Sequence, residues 1–235
     1  MEAYLDNSAT TRVDAQVQEL MKKLMDVDFG NPSSRHQKGV VAEGYIKEAR
    51  QKIAATLKVD PKELIITSGG TESNNMALIG TALAAKRKGN HIITTAVEHP
   101  SVKATASFLE EQGFRITFLS VDSRGQISLE DLKEALTPDT ILVSIMYVNN
   151  EIGTIQPVEE AAKLVHATVP GAVFHVDAIQ AYGKVMIRPK QQGIDLLSVS
   201  SHKFHGPKGA GFLYCSSKVN LHPIIFGGGQ QSGMR

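Results

Sequence analysis

The spacing of apolar residues divides the chain into two opening helices and a longer region in which strands and helices alternate. Val17, Leu20, Met21, Leu24 and Met25 recur at helical spacing and predict a helix over 13–27. Val41, Tyr45, Ala49, Ile53 and Leu57 repeat every fourth residue through a second helix over 35–57. Both read as ordinary packing elements, joined by the turn-forming cluster Phe29-Gly30-Asn31-Pro32-Ser33-Ser34. From residue 61, apolar runs at Leu64–Thr67, His91–Ala96, Arg115–Leu119, Thr140–Val148, Ala172–Val176 and Ile194–Val199 read as strands. Helical stretches near 71–88, 99–112, 128–136 and 157–168 lie between several of them. This alternation predicts an α/β fold with a mostly parallel sheet flanked by helices. Gly211–Cys215 follows the last of these strands after a Gly-Pro turn and is expected to pair antiparallel beside it.

In open α/β sheets, ligands gather at the carboxyl ends of the strands, and the polar clusters of this chain fall there. Thr67-Ser68-Gly69-Gly70-Thr71-Glu72-Ser73-Asn74 leaves a strand and enters a helix. It is either a plain turn with Thr71 as N-cap or a phosphate cradle of backbone N–H groups and the Thr71 hydroxyl. It has neither the dinucleotide fingerprint nor the P-loop spacing. Glu98-His99 follows the next strand, with His99 either a loop histidine or a group that stacks on a flat ring and moves protons. Asn149-Asn150 are turn formers or ligand donors, the former reading favoured for Asn149. Asp177 ends a buried run, where a carboxylate is costly unless paired; it either caps the following turn or meets a cationic ring nitrogen. Lys203, in Ser200-Ser201-His202-Lys203 ahead of Gly206-Pro207-Lys208-Gly209, sits where a strand delivers an amine into a pocket. An amine there is suited to condense with the aldehyde of pyridoxal phosphate, which also needs an acid for its ring nitrogen and a seat for its phosphate. Lys203, Asp177 and the turn at Gly70-Thr71 meet those three requirements in one chain.

Composition narrows the setting. With 235 residues, 42% of them hydrophobic, the chain is long enough to bury a core. A net charge of +1 gives no support to a nucleic-acid or anionic-membrane partner. The single cysteine, Cys215, excludes an internal disulfide, and Met1-Glu2-Ala3-Tyr4-Leu5-Asp6 lacks the basic start and apolar segment of a signal peptide. No apolar stretch approaches the roughly 18 residues needed to span a bilayer. A soluble, cytoplasmic protein is expected, and no metal site is assigned.

Taken together, several segments resemble the cysteine desulfurases, in the class V aminotransferase group of fold type I pyridoxal-phosphate enzymes. They are Tyr-Leu-Asp-Asn-Ser-Ala-Thr-Thr at 4–11, Phe-Gly-Asn-Pro-Ser-Ser at 29–34, Thr-Ser-Gly-Gly-Thr-Glu-Ser at 67–73 and Glu-His at 98–99. Val-Asn-Asn-Glu-Ile-Gly at 148–153, His-Val-Asp-Ala-Ile-Gln at 175–180, Ser-Ser-His-Lys at 200–203 with Gly-Pro-Lys-Gly at 206–209, and Gly-Gly-Gly-Gln at 227–230 complete the set. The resemblance implies the large domain of the aspartate-aminotransferase-like architecture over 16–235, with 1–15 on the small-domain side. It implies Lys203 as the residue that bonds the cofactor aldehyde, Asp177 at the ring nitrogen, and His99 stacked on the ring as acid and base. Gln180 would bond the ring hydroxyl, Asn150 would lie by that hydroxyl and the substrate carboxylate, and Thr71, Ser200 and His202 would hold the phosphate with Gly70 close by.

The implied reaction converts L-cysteine to L-alanine and passes sulfur to an enzyme cysteine, for delivery to an iron–sulfur scaffold or for tRNA thiolation by a homodimer. Selenocysteine cleavage or transamination on the same cofactor, or a catalytically silent scaffold, are the alternatives. Family members continue past the position of Arg235 with a long helix and a C-terminal small domain carrying the nucleophilic cysteine and the arginine for the substrate carboxylate. The expectation is therefore that these 235 residues bind cofactor better than they turn over cysteine, with Cys215 a small hydrophobe rather than the nucleophile.

Overall fold

A computed structural model describes residues 3–235; Met1 and Glu2, the first two residues of the segment expected on the small-domain side, lie outside the described residues. Two helices, α1 (Ala15–Asp26) and α2 (Gln37–Leu57), precede the sheet. The alternating region then follows as β1 (Leu64–Thr67), α3 (Gly70–Ala85), β2 (His91–Thr95), α4 (Pro100–Glu111), β3 (Arg115–Leu119), α5 (Leu129–Ala135) and β4 (Thr140–Met146). It continues through α6 (Val158–Thr168), β5 (Val173–Asp177), the short α7 (Pro189–Gln192), β6 (Leu196–Ser200) and β7 (Gly211–Cys215). Among the described α-helices and strands, only α7 is new relative to the pattern in the sequence, since four residues beginning at a proline carry no periodicity.

The seven strands form one sheet in the order β1-β7-β6-β5-β4-β2-β3. β7 runs antiparallel to β6, as its short connection requires, and antiparallel to β1 on its other side, so it alone opposes the rest. The central parallel strands are buried along nearly their whole length, with every residue of β2, β4 and β6 enclosed, while β3 at the sheet edge buries only Leu119 fully. One face packs Met76, Ala77, Leu78 and Ala82 of α3 with Val102 and Leu109 of α4. The other packs Leu132 of α5, Val158, Ala161, Ala162 and Val165 of α6, and Ala54 and Leu57 of α2. Helix α1 departs from the expected packing role, for none of its residues is fully buried: Val17 and Leu24 are half-covered, while Leu20, Met21 and Met25 of the same stripe are exposed, Met25 to 71%. No described helix is long and apolar enough to cross a membrane.

This sheet fixes one working edge. β1, β2, β4, β5 and β6 all end on the same side, so the segments at Ser68–Thr71, Ala96–His99, Tyr147–Asn150, Asp177–Gln180 and Ser200–Lys203 are brought together. β7 runs away from that side: Gly211 pairs with Ser200, while Cys215 pairs with Leu196, about 13 Å along the strand.

Candidate active site

A cavity of about 590 Å³ opens at this edge and is lined by Gly70, Thr71, His99, Asn150, Asp177, Gln180, Ser200, His202 and Lys203, the nine residues singled out in the sequence, and by Asp6, Ser8 and Ala9 of the N-terminal segment. Its size suits a small-molecule cofactor with room for substrate.

The floor is Asp177, the last residue of β5 and 4% exposed. Its Oδ1 accepts from Ile179 N at 3.0 Å and its Oδ2 from Asn74 Nδ2 at 2.8 Å. Burial pushes its carboxyl up, opposed by those two donors and by the charges of His99 and Lys203. A buried anion with neutral donors, and with no cation in contact among the described residues, is suited to receive a protonated ring nitrogen.

His99 caps the N-terminus of α4, and its Nδ1 accepts from Ser101 N at 3.1 Å. Because that N–H can only donate, the neutral ring carries its proton on Nε2. Ser101 Oγ also lies 2.8 Å from Nδ1 and receives the second Asn74 hydrogen at 2.9 Å, which links Asp177 and His99 through Asn74 and Ser101.

The opposite end of the cavity is built for an anion. Gly69 takes φ +148°, where a side chain is strained, and α3 starts at Gly70. A Cβ on Gly70 would fall 2.1 Å from Ile179 Cδ1, so a larger residue here requires the Ile179 side chain to move. The first-turn N–H groups of α3 have no intrahelical acceptor and carry the positive end of the helix dipole. Ser200 and His202 stand beside them, with His202 Nδ1 3.2 Å from Thr10 Oγ1. Burial, then the charges of Lys203 and Lys208, hold His202 below its ordinary pKa.

Lys203 follows β6 in a single 3-10 turn. Its Nζ donates to the carbonyls of Ser8 at 2.5 Å and Ala9 at 2.8 Å. The N-terminal segment is itself tied down by Thr11, whose N and Oγ1 both donate to His202 O, at 2.8 and 3.0 Å. Burial and then the charge of Lys184 lower the Lys203 pKa, with Asp6 and Asp177 opposing. A lowered lysine pKa favours the free amine that attacks a carbonyl. Gln180 is held from two sides, Nε2 donating to Ser8 O at 2.8 Å and Oε1 accepting from Lys184 Nζ at 3.1 Å.

Asn149 proves to be the turn former: its Oδ1 accepts from Glu151 N and Ile152 N, and its Nδ2 donates to Val97 O. Asn150 lines the cavity, with Nδ2 bonded to Glu151 Oε1 at 2.7 Å. Cys215 lies elsewhere, half-buried against a separate cavity of about 440 Å³ beside Arg50 and Glu63. Burial, then Glu63 and Asp195, push its thiol up to about 12. Asn74, Ser101, Lys184 and the Ser8 and Ala9 carbonyls were not among the predicted site residues. Asn74 was visible only as the end of the Thr67–Asn74 cluster, and nothing in a sequence marks a backbone carbonyl.

The fold and site define a class V aminotransferase: residues 3–234 match that family, described as aminotransferase class-V, and the chain belongs to it. It is 49% identical over 234 residues to "Cysteine desulfurase IscS" of Dictyoglomus turgidum, covering 100% of this chain and 59% of that protein. To "Cysteine desulfurase IscS" of Methanosarcina thermophila it is 47% identical, covering 99% of this chain and 57% of the relative. Among solved structures, a "NifS-like protein" superposes with a TM-score of 0.98 at 43% identity, covering all of this chain and 64% of the other. "SspA in complex with cysteine" superposes with a TM-score of 0.95 at 41% identity, covering all of this chain and 67% of the other. The chain thus spans about three fifths of the length of these curated relatives. Members of the family depend on pyridoxal phosphate, and the residues present fit that group: a buried anion, an amine and a helix N-terminus face one cavity.

Proposed function

We propose that these residues form the cofactor-binding part of a pyridoxal-phosphate-dependent cysteine desulfurase, which converts L-cysteine and a thiol to L-alanine and a persulfide. In that reaction the substrate C–S bond breaks, an S–S bond forms, and one proton passes from sulfur to carbon. The observation that carries this reading is the convergence of Lys203, Asp177 and the α3 N-terminus on one cavity, in a chain whose relatives are named cysteine desulfurases.

Lys203 Nζ would bond the cofactor aldehyde, Asp177 would accept from the ring N–H, and Gln180 Nε2 would donate to the ring hydroxyl. Thr71, Ser200, His202 and the Gly70 backbone would receive the phosphate. Asn150 would serve the ring hydroxyl and the substrate carboxylate. When bound, the cofactor supplies an electron sink for the substrate α-carbon. His99 would lie against the ring and would exchange a proton at Nε2, since Nδ1 is committed to Ser101.

Cys215 does not supply the accepting thiol, because it stands at the far end of β7 with a raised pKa. We assign that thiol to a cysteine outside these 235 residues. An iron–sulfur scaffold or another sulfur acceptor, a homodimer and a cytoplasmic setting complete the reading, with residues 1–15 on the small-domain side.

Reconstitution with pyridoxal phosphate tests the assignment. The protein is expected to turn yellow, lose the colour on borohydride reduction and carry the reduced adduct on Lys203, while Lys203→Ala carries none. Cysteine is expected to change the spectrum, and alanine and sulfide to appear in quantity only when a longer chain or second polypeptide supplies the thiol. An adduct on another lysine would refute the site, and colour with no response to cysteine in the longer chain would favour a silent scaffold.

A further inference from the structure

Glu98 takes no part in the chemistry above, yet it lies beside the group that does. It precedes His99 in the turn from β2 to α4 and is 2% exposed. Its Oε1 accepts from Met146 N at 2.7 Å and from Thr95 Oγ1 at 2.9 Å. Its Oε2 is enclosed and has no hydrogen-bond partner among the described residues. Met146 ends β4 directly opposite Asp177 on β5, so two carboxyl groups share one enclosed region at the ends of neighbouring strands. The charged groups acting on Glu98 are Asp177 from β5 and Lys103 from α4, with His99 adjacent in the chain. No salt bridge reaches Glu98 among the described residues.

Two buried carboxylates without an intervening cation cannot both ionise cheaply. Their surroundings separate them. Asp177 has one N–H donor on each oxygen and lies near Lys203 and His99. Glu98 has both donors on one oxygen and none on the other, an arrangement that suits an acid with its proton on the bare oxygen.

We infer that Glu98 is a neutral carboxylic acid at physiological pH, a positioning residue that ties the end of β4 to the His99 turn and leaves the site's negative charge to Asp177. This rests on reading Asp177 as the ring-nitrogen partner. Burial and then the Asp177 charge push Glu98 up to about 8, against the Met146 N–H and the Thr95 hydroxyl. A second fixed anion there would compete with Asp177 for the ring proton; a neutral acid supplies the same hydrogen-bond acceptor without that charge.

The test is a carboxyl-carbon NMR titration of cofactor-free protein labelled at glutamate, with Glu98→Gln for assignment and Asp177→Asn as a second variant. One glutamate is expected to titrate near about 8, to be missing from Glu98→Gln and to titrate at lower pH in Asp177→Asn. If every glutamate titrates below about pH 6, no higher than the upper end of the ordinary carboxylate range, the inference is overturned. Should Glu98→Gln fail to fold, the shift in Asp177→Asn alone makes the assignment, and its absence overturns the proposal. In the reconstituted protein, the absorbance–pH curves of Glu98→Gln and the unaltered chain are expected to coincide on the acid side and to separate only near about 8. Curves already apart near about pH 6 mean that Glu98 is ionised. Because the NMR titration needs no cofactor, failure to take up pyridoxal phosphate refutes the proposed function without touching this result.

Discussion

Asn74 Nδ2 donates to Asp177 Oδ2 at 2.8 Å, and its other hydrogen reaches Ser101 Oγ at 2.9 Å. One helical amide therefore orients the buried carboxylate at the end of β5 and the hydroxyl that stands against His99 Nδ1. α3 brings it there because the helix packs one broad face on the sheet, with Ser73, Asn74, Met76, Ala77, Leu78, Thr81 and Ala82 buried.

Asn74→Ala leaves Asp177 Oδ2 enclosed without a donor. Unfolding in urea is expected to show a loss of about 1–3 kcal/mol, the cost of a buried acceptor deprived of its partner. A loss below roughly 0.5 kcal/mol, within the range of ordinary surface substitutions, would mean that the amide does not anchor the carboxylate.

Gly70→Ala drives a methyl into Ile179. The Ile179 side chain, which lines the cavity, is expected to be displaced from its rotamer at a cost of about 1 kcal/mol and pyridoxal phosphate uptake to weaken. Ile179→Val in the same protein removes the atom nearest the new methyl and is expected to recover part of both losses. If the double variant is no better than Gly70→Ala, the glycine is needed for some reason other than this contact.

His175 is fully enclosed between Ser144 Oγ on β4 and Ser198 Oγ on β6, at 2.8 and 2.9 Å, and burial pushes its pKa down to about 3. The unfolded imidazole takes its proton near about pH 6.5, whereas the folded one does not until about 3. The unfolded state thus binds more protons in that window, so the histidine's contribution is complete above the unfolded pKa and is lost as pH falls toward the folded one. Urea midpoints are expected to drop across the window while the His175 ring resonances remain those of a neutral imidazole. A ring that titrates near its ordinary pKa would contradict the enclosed geometry.

The apolar stripe of α1 is open, with Leu20 45% and Met25 71% exposed. Such a stripe favours association, and light scattering of the 235-residue chain is expected to report a dimer or larger species. Leu20→Glu with Met25→Glu is expected to shift it toward monomer. Unchanged size in the double variant would place any self-association on another surface.

Much of this protein was legible in its sequence because the relevant signals are local. Buried parallel strands read as short continuous apolar runs, so their bounds came within two residues of the observed ones, and only the four-residue α7 escaped. Polar groups at the strand ends were conspicuous against those runs, which is why all nine predicted residues line the same cavity. The reversed direction of β7 was also readable, since a connection of that length leaves only an antiparallel partner.

What the tertiary structure alone decided are relations between residues far apart in the chain. β1 pairs with β7 across some 140 residues, a contact no periodicity encodes. The open face of α1 has the same helical spacing as a packed one, because periodicity reports that a stripe exists and not what covers it. The latch of Lys203 on the Ser8 and Ala9 carbonyls uses backbone atoms that every residue possesses. Sequence could place Glu98 next to His99, but only the alignment of β4 with β5 sets it beside Asp177 with one oxygen bare. The state of a carboxyl depends on the dielectric and the charges around it, and those are fixed only when the strands are in register.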